Sequence, residues 1–136
     1  MTSAAIELQK AVFSALSADA ALVAALGGAR IYDHAPANAV FPYLTFGRTT
    51  VHDWSTDADG GSEHFFTVHA WSKAKGKAEV LALIERVKAV LHDANLVLAT
   101  HHLVNLRCEF DDARFNDDLS VYHGMVRFRA VTEPAP

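Results

Sequence analysis

Residues 121–131, VYHGMVRFRAV, alternate as a strand with one buried face must: Tyr122, Val126, Phe128 and Ala130 stand on one side, His123, Arg127 and Arg129 on the other. Gly124 falls in the apolar register, where a missing side chain marks a bulge or a close approach of backbone to a neighbour. Residues 103–110 carry a second such pattern, Val104, Leu106, Cys108 and Phe110 alternating with Asn105, Arg107 and Glu109. Two strands of this kind read as antiparallel neighbours with one wet face. They commit the end of the chain to a sheet whose apolar side needs a cover.

Helices upstream supply that cover. Residues 74–93 place Val80, Leu83, Ile84, Val87 and Leu91 at helical spacing, with Lys77, Glu85, Arg86, Lys88 and His92 elsewhere. Residues 2–16 predict another helix, with Ile6, Gln9, Phe13 and Leu16 on one stripe and Thr2 or Ser3 as its cap. A short helix over 18–26 follows, with Ser17 as N-cap and Gly27 positioned to end it in the left-handed conformation. Residues 43–52, beginning after Pro42, and residues 63–71 are rich in β-branched and aromatic side chains and read as strands. In the second, Phe66, Val68 and Ala70 share one face and Thr67, His69 and Trp71 the other. The tail, 132–136, reads as frayed. The order α-α-β-β-α-β-β predicts an α+β fold: a four-stranded, mostly antiparallel sheet with helices packed on one face, one domain over residues 1–136.

Composition narrows the class. A formal net charge of −4 argues against a protein that coats nucleic acid, which needs a basic patch. One cysteine, Cys108, permits no intrachain disulfide and suits a reducing compartment. The N-terminal residues show no basic-then-apolar leader, and no stretch approaches the ~20 apolar residues of a membrane span. The expectation is a soluble protein made inside the cell, with no membrane partner.

The stretch STDADGGSEHF, residues 55–65, raises the question of a metal or catalytic loop. As a calcium loop starting at Ser55 it offers Asp57, Asp59 and Gly60, but position one is a serine and position twelve is Phe66. Strands flank it, so a solvated hairpin turn is the better reading. The eight histidines show no zinc spacing: His64 and His69 point to opposite faces, and His101 and His102 diverge. His52, Asp53 and Arg107 are the best candidates for acid–base work in a small cyclase- or isomerase-type enzyme. Against that, Arg107, Glu109, Arg127 and Arg129 read more simply as cross-strand charge pairs. No nucleophile elbow, phosphate loop or dinucleotide fingerprint occurs. No metal, no cofactor and no catalytic residue is expected. A second acidic loop is read over residues 111–118, DDARFNDD, whose Phe115 either anchors in a partner's pocket or folds back on its own strand.

An ordered series of features carries a family resemblance. The N-terminal helix leads to ALVAALGG (21–28), Arg30-Ile31-Tyr32 and a loop with Pro36; FPYLTFG (41–47), the acidic glycine loop, Ala70-Trp71-Ser72, a helix entered through Gly76 and a final Arg127-Phe128-Arg129-Ala130 follow. The chain resembles the tail-completion proteins, or tail terminators, of long-tailed bacteriophages and gene transfer agents. The resemblance implies a structural virion protein and no enzyme: a ring of identical subunits, typically hexameric, at the head-proximal end of the tail tube. Such a ring stops tube polymerisation, joins the tube protein to a neck or head-completion (stopper) protein, and lets DNA pass without sequence-specific binding. It implies synthesis in a bacterial cytoplasm and residence at the tail–neck junction. On this reading Arg107, Glu109, Arg127 and Arg129 lie at subunit interfaces. The loops bearing Asp53, Trp54, Asp57, Asp59 and Glu63, and Asp111, Asp112, Phe115, Asp117 and Asp118, meet the tube or the neck. The alternatives are the small enzyme above and a homodimeric binding module built on the same sheet.

Overall fold

A computed structural model describes residues 3–55 and 60–135. It contains three helices, α1 (Ala4–Ala18), α2 (Ala20–Leu26) and α3 (Ala78–Leu91), and five strands, β1 (Ile31–Tyr32), β2 (Tyr43–Asp53), β3 (Ser62–Ser72), β4 (His101–Asn116) and β5 (Val121–Pro134). The sheet order is β1-β2-β3-β5-β4. The α+β class with helices over one face is as expected, but the sheet has five strands, and it is mixed. The extra one, β1, pairs parallel with β2 through Ile31 opposite Leu44. Two residues are too few for a periodic signal, and the residues before and after them read as linker.

Local chemistry explains where the helices begin and end. Ser3 caps α1 by accepting from the Ile6 N–H at 3.2 Å. The cap of α2 is Asp19 in place of the expected Ser17; its carboxylate accepts from the Leu22 N–H at 2.9 Å. Gly27 ends α2 at φ 78°, the left-handed conformation a Cβ disfavours. The third helix starts four residues later than its expected bound, after Gly76 at φ 85°.

Leu83, Ile84 and Leu91 of α3 and Leu16, Leu22 and Leu26 of α1 and α2 meet Leu44, Val68, Leu106 and Phe128 of the sheet, all at most 2% exposed. Burial of each such side chain contributes about 1.5–3 kcal/mol before entropy is counted. Gly124 is the close approach its register implied. A Cβ there would lie 2.7 Å from Ile84 Cδ1 and 2.8 Å from Val80 Cγ2, so α3 rests directly on the β5 backbone.

Three expectations about the last strands need correction. Residues 111–116 form no loop: they continue β4, with Asp111 opposite Val126 and Phe115 opposite Tyr122, and the turn is only residues 117–120. The tail is not frayed through Pro134, because Thr132 is buried at 1% and Pro134 pairs with His101. The alternation of 103–110 is broken by bulges between Leu103 and Asn105 and between Cys108 and Phe110. Leu103 and Leu106 therefore share the core face, while Val104 and Phe110 are each 48% exposed.

Candidate assembly surface on the helix-free face

The helices cover one face of the sheet and leave the other to Tyr43 and Thr45 of β2, Phe65, Thr67, His69 and Trp71 of β3, and His123, Arg127 and Arg129 of β5. These are half-buried by one another. At one end the rings form a stack. The Trp71 and His123 centroids are 4.1 Å apart with planes 7° from parallel, and His69 lies 4.8 Å from His123. Trp71 Nε1 donates to Thr45 Oγ1 at 3.0 Å. His69 Nδ1 and His123 Nε2 share one hydrogen bond of 2.6 Å. Burial pushes His69 below the ordinary histidine range. Burial, then His69 and Arg114, hold His123 down to about 4. Both rings are neutral at pH 7, so this patch is aromatic and polar but uncharged.

Gly47 makes the stack possible. A Cβ on it would fall 2.1 Å from His69 Nε2 and 2.3 Å from Thr67 Oγ1. A glycine inside a strand signals such an approach.

The other end of the face is charged. Arg127 Nε donates to Glu109 at 3.0 Å, and its guanidinium lies 4.8 Å from the Phe65 ring centroid. Arg129 Nε donates to Glu63 at 2.6 Å, over Trp54 at 5.0 Å. Of the cross-strand pairs read among Arg107, Glu109, Arg127 and Arg129, Arg127–Glu109 is present; Arg129 pairs instead with Glu63 of β3. Arg107 stands opposite Arg129 in register and forms no ion pair among the described residues. These exposed or half-exposed pairs contribute roughly 0–1 kcal/mol each; their aromatic partners add shape.

The remaining candidates scatter. Asp53 accepts from the Ser55 N–H at 3.0 Å and from its hydroxyl, which lowers its pKa. Trp54 closes the hairpin by donating its N–H to the Gly61 carbonyl at 2.9 Å. Asp57 and Asp59 lie outside the described residues. Asp111 faces the helical side, paired to Lys88 of α3 at 2.9 Å. Asp112, Asp117 and Asp118 are exposed. Phe115 packs edge-on against Tyr122 at 5.1 Å yet stays 45% exposed, so it folds back in part.

The acid–base candidates do not converge. His52 stacks edge-on with Phe65 at the end of β2, and Asp53 is engaged by Ser55. Arg107 sits on β4, three strand spacings away in the order β2-β3-β5-β4, roughly 14 Å at ~4.8 Å per step. Among the described residues no group of three or more His, Cys, Asp or Glu is arranged to hold a metal ion.

Comparison with known proteins gives a consistent result. The family model described as tail completion protein gp17 matches residues 10–133. Among solved structures, a chain from the virion of a native gene transfer agent (GTA) particle superimposes with a TM-score of 0.88. It is 32% identical, and the match covers 98% of this chain and 99% of that one. No curated protein matches.

Proposed function

The chain belongs to the tail completion protein gp17 family, and from that premise we propose that it forms a ring at the head-proximal end of a phage-like tail tube. It is a structural tail protein of the bacteriophage and gene transfer agent kind. The ring ends tube polymerisation and presents a platform to the neck or head-completion protein, while DNA passes through its centre. Subunits are identical, six to a ring as the resemblance implies, each folded as one domain. The observation that supports this reading is the match to a chain of a gene transfer agent virion over 98% of this chain and 99% of that one.

The polar-aromatic face is consistent with a protein whose work is contact. Half-buried aromatics held by hydrogen bonds give large, rigid contact area at little entropic cost. We assign Arg107, Glu109, Arg127 and Arg129 to contacts between subunits. Asp53, Trp54, Asp57, Asp59, Glu63, Asp112, Phe115, Asp117 and Asp118 are assigned to contacts between subunits or with tube and neck. Asp111, paired to Lys88 of α3 as Glu109 and Glu63 are paired to arginines, is assigned with them. The scattering of His52, Asp53 and Arg107 leaves the enzyme reading without a site. Electron microscopy of particles carrying a bulky tag on this chain tests the proposal: added density at the head–tail junction is expected, and density at the distal tip or along the tube overturns it.

A further inference from the structure

The sheet order sets two unlike surfaces at opposite lateral ends of the molecule. On the β2 side, α1 overhangs the strand and leaves an open groove of about 670 Å³. Its apolar wall is Ile6 and Phe13, 51% and 43% exposed, with Phe46 beneath. Lys10 stands on its rim; Asp33, also on the rim, is engaged by Gln9 Nε2 at 3.2 Å. On the β4–β5 side, the hairpin turn holds up Leu119, 60% exposed, directly after Asp117 and Asp118. Asn116 Oδ1 accepts from the Leu119 N–H at 3.1 Å and fixes the turn. Lys10, Asp117 and Asp118 form no ion pair among the described residues.

The groove is apolar, with Lys10 at one point of its rim and Asp33, held by Gln9, at another; the turn is apolar and edged by two anions that Lys10 can meet. A two-fold dimer would have to seat both turns in both grooves at once, which surfaces at opposite ends of the sheet do not allow. A head-to-tail contact sets turn into groove and leaves the growing assembly one groove and one turn open at its two ends, so addition continues until the circle closes. We infer that the occupant of the α1–β2 groove is a second copy of this chain: Leu119 seats against Ile6 and Phe13 of its neighbour, with Asp117 and Asp118 facing Lys10. This contact rests on the ring reading and names its subunit interface.

Disulfide trapping tests it with the fold untouched. In a Cys108→Ser background, Ser14→Cys puts a thiol at the groove and Ser120→Cys one at the turn, both isosteric. Mixing the two variants under mild oxidation is expected to give covalent dimer about tenfold faster than either alone, since a specific complex raises local concentration. Leu119→Asp, or Lys10→Glu, is expected to slow that reaction about tenfold, the loss of one central contact. Asp118→Lys added to Lys10→Glu restores it. Equal rates in mixed and unmixed samples, or no recovery in the charge swap, overturn the contact. Sedimentation of the unmodified protein separates this from the ring itself. Closed oligomers without preferential linkage overturn the contact alone; preferential linkage into open-ended ladders upholds the contact and overturns the ring.

Discussion

His69 Nδ1 and His123 Nε2 lie 2.6 Å apart, one ring donating and the other accepting. Only a pair with a single shared proton satisfies that geometry, so protonating the acceptor breaks it. His123 is held down to about 4 against an ordinary 6.5, and burial also lowers His69 and His64. The unfolded chain therefore takes up protons on these rings before the folded one does. Stability is complete above about pH 6.5 and declines as pH falls through the window toward 4. Urea midpoints measured above and inside that window, at fixed ionic strength, are expected to drop on acidification. His123→Asn should make the drop shallower; an unchanged slope would refute the assignment.

Gly124 and Ile84 form a second testable pair. Gly124→Ala forces a methyl 2.7 Å from Ile84 Cδ1, and overpacking of this kind costs about 1–3 kcal/mol. Ile84→Val removes that δ carbon. The double variant should recover part of the loss beyond additivity in a denaturation cycle. Gly47→Ala should cost a similar amount, through His69 and Thr67, with no rescue from Ile84→Val.

Asp19 joins two helices to the rest of the fold. It caps α2 and accepts from Arg86 of α3 at 2.7 and 3.1 Å. Asp19→Ala loses both, and a cap alone is worth about 0.5–2 kcal/mol. Asp19→Asn keeps the cap and loses the ion pair, so thermal unfolding should rank wild type, Asn, Ala in falling order. Equal loss for Asn and Ala would mean that the cap contributes little.

Neighbouring aspartates on β4 should behave differently. Asp111 is paired to Lys88, so Asp111→Lys should destabilise the fold by up to about 1 kcal/mol. Asp112 is exposed on the opposite side of the strand. Asp112→Lys should leave the denaturation curve unchanged and lower particle yield. Normal particle yield would remove Asp112 from the assembly surface.

What the sequence revealed follows physical range. The period-two pattern of 121–131, the helical stripe of α3 and the left-handed Gly27 are local signals, and each has its structural counterpart. The opposite faces of His64 and His69 follow from strand parity alone: His64 is buried and bonded to Thr132 Oγ1 at 2.8 Å. The misread parts depend on pairing. Residues 111–116 look like a loop by composition, two of them and the two residues that follow being aspartates, and become strand because β5 offers them a ladder over its whole length. Bulges shift Val104 and Phe110 outward, and nothing local announces them. Glu7 lies on the helix as an ordinary acid. Only the fold brings it to the Thr100 N–H at 2.7 Å and beside His101, where the Thr100 bonds hold its carboxyl down to about 2. The Trp71–His123–His69 stack joins three positions across two strands, beyond any single-segment pattern.

A chain that ends the tail tube and joins it to the neck, as proposed, should leave both steps undone when it is missing. The most direct test is the length of tails made by cells whose copy of the gene is deleted, measured by electron microscopy against the parent strain. Tubes of irregular and excessive length, separate from filled heads, are expected, with return to uniform joined particles when the gene is restored. Joined particles with tails of unchanged length would contradict the proposal.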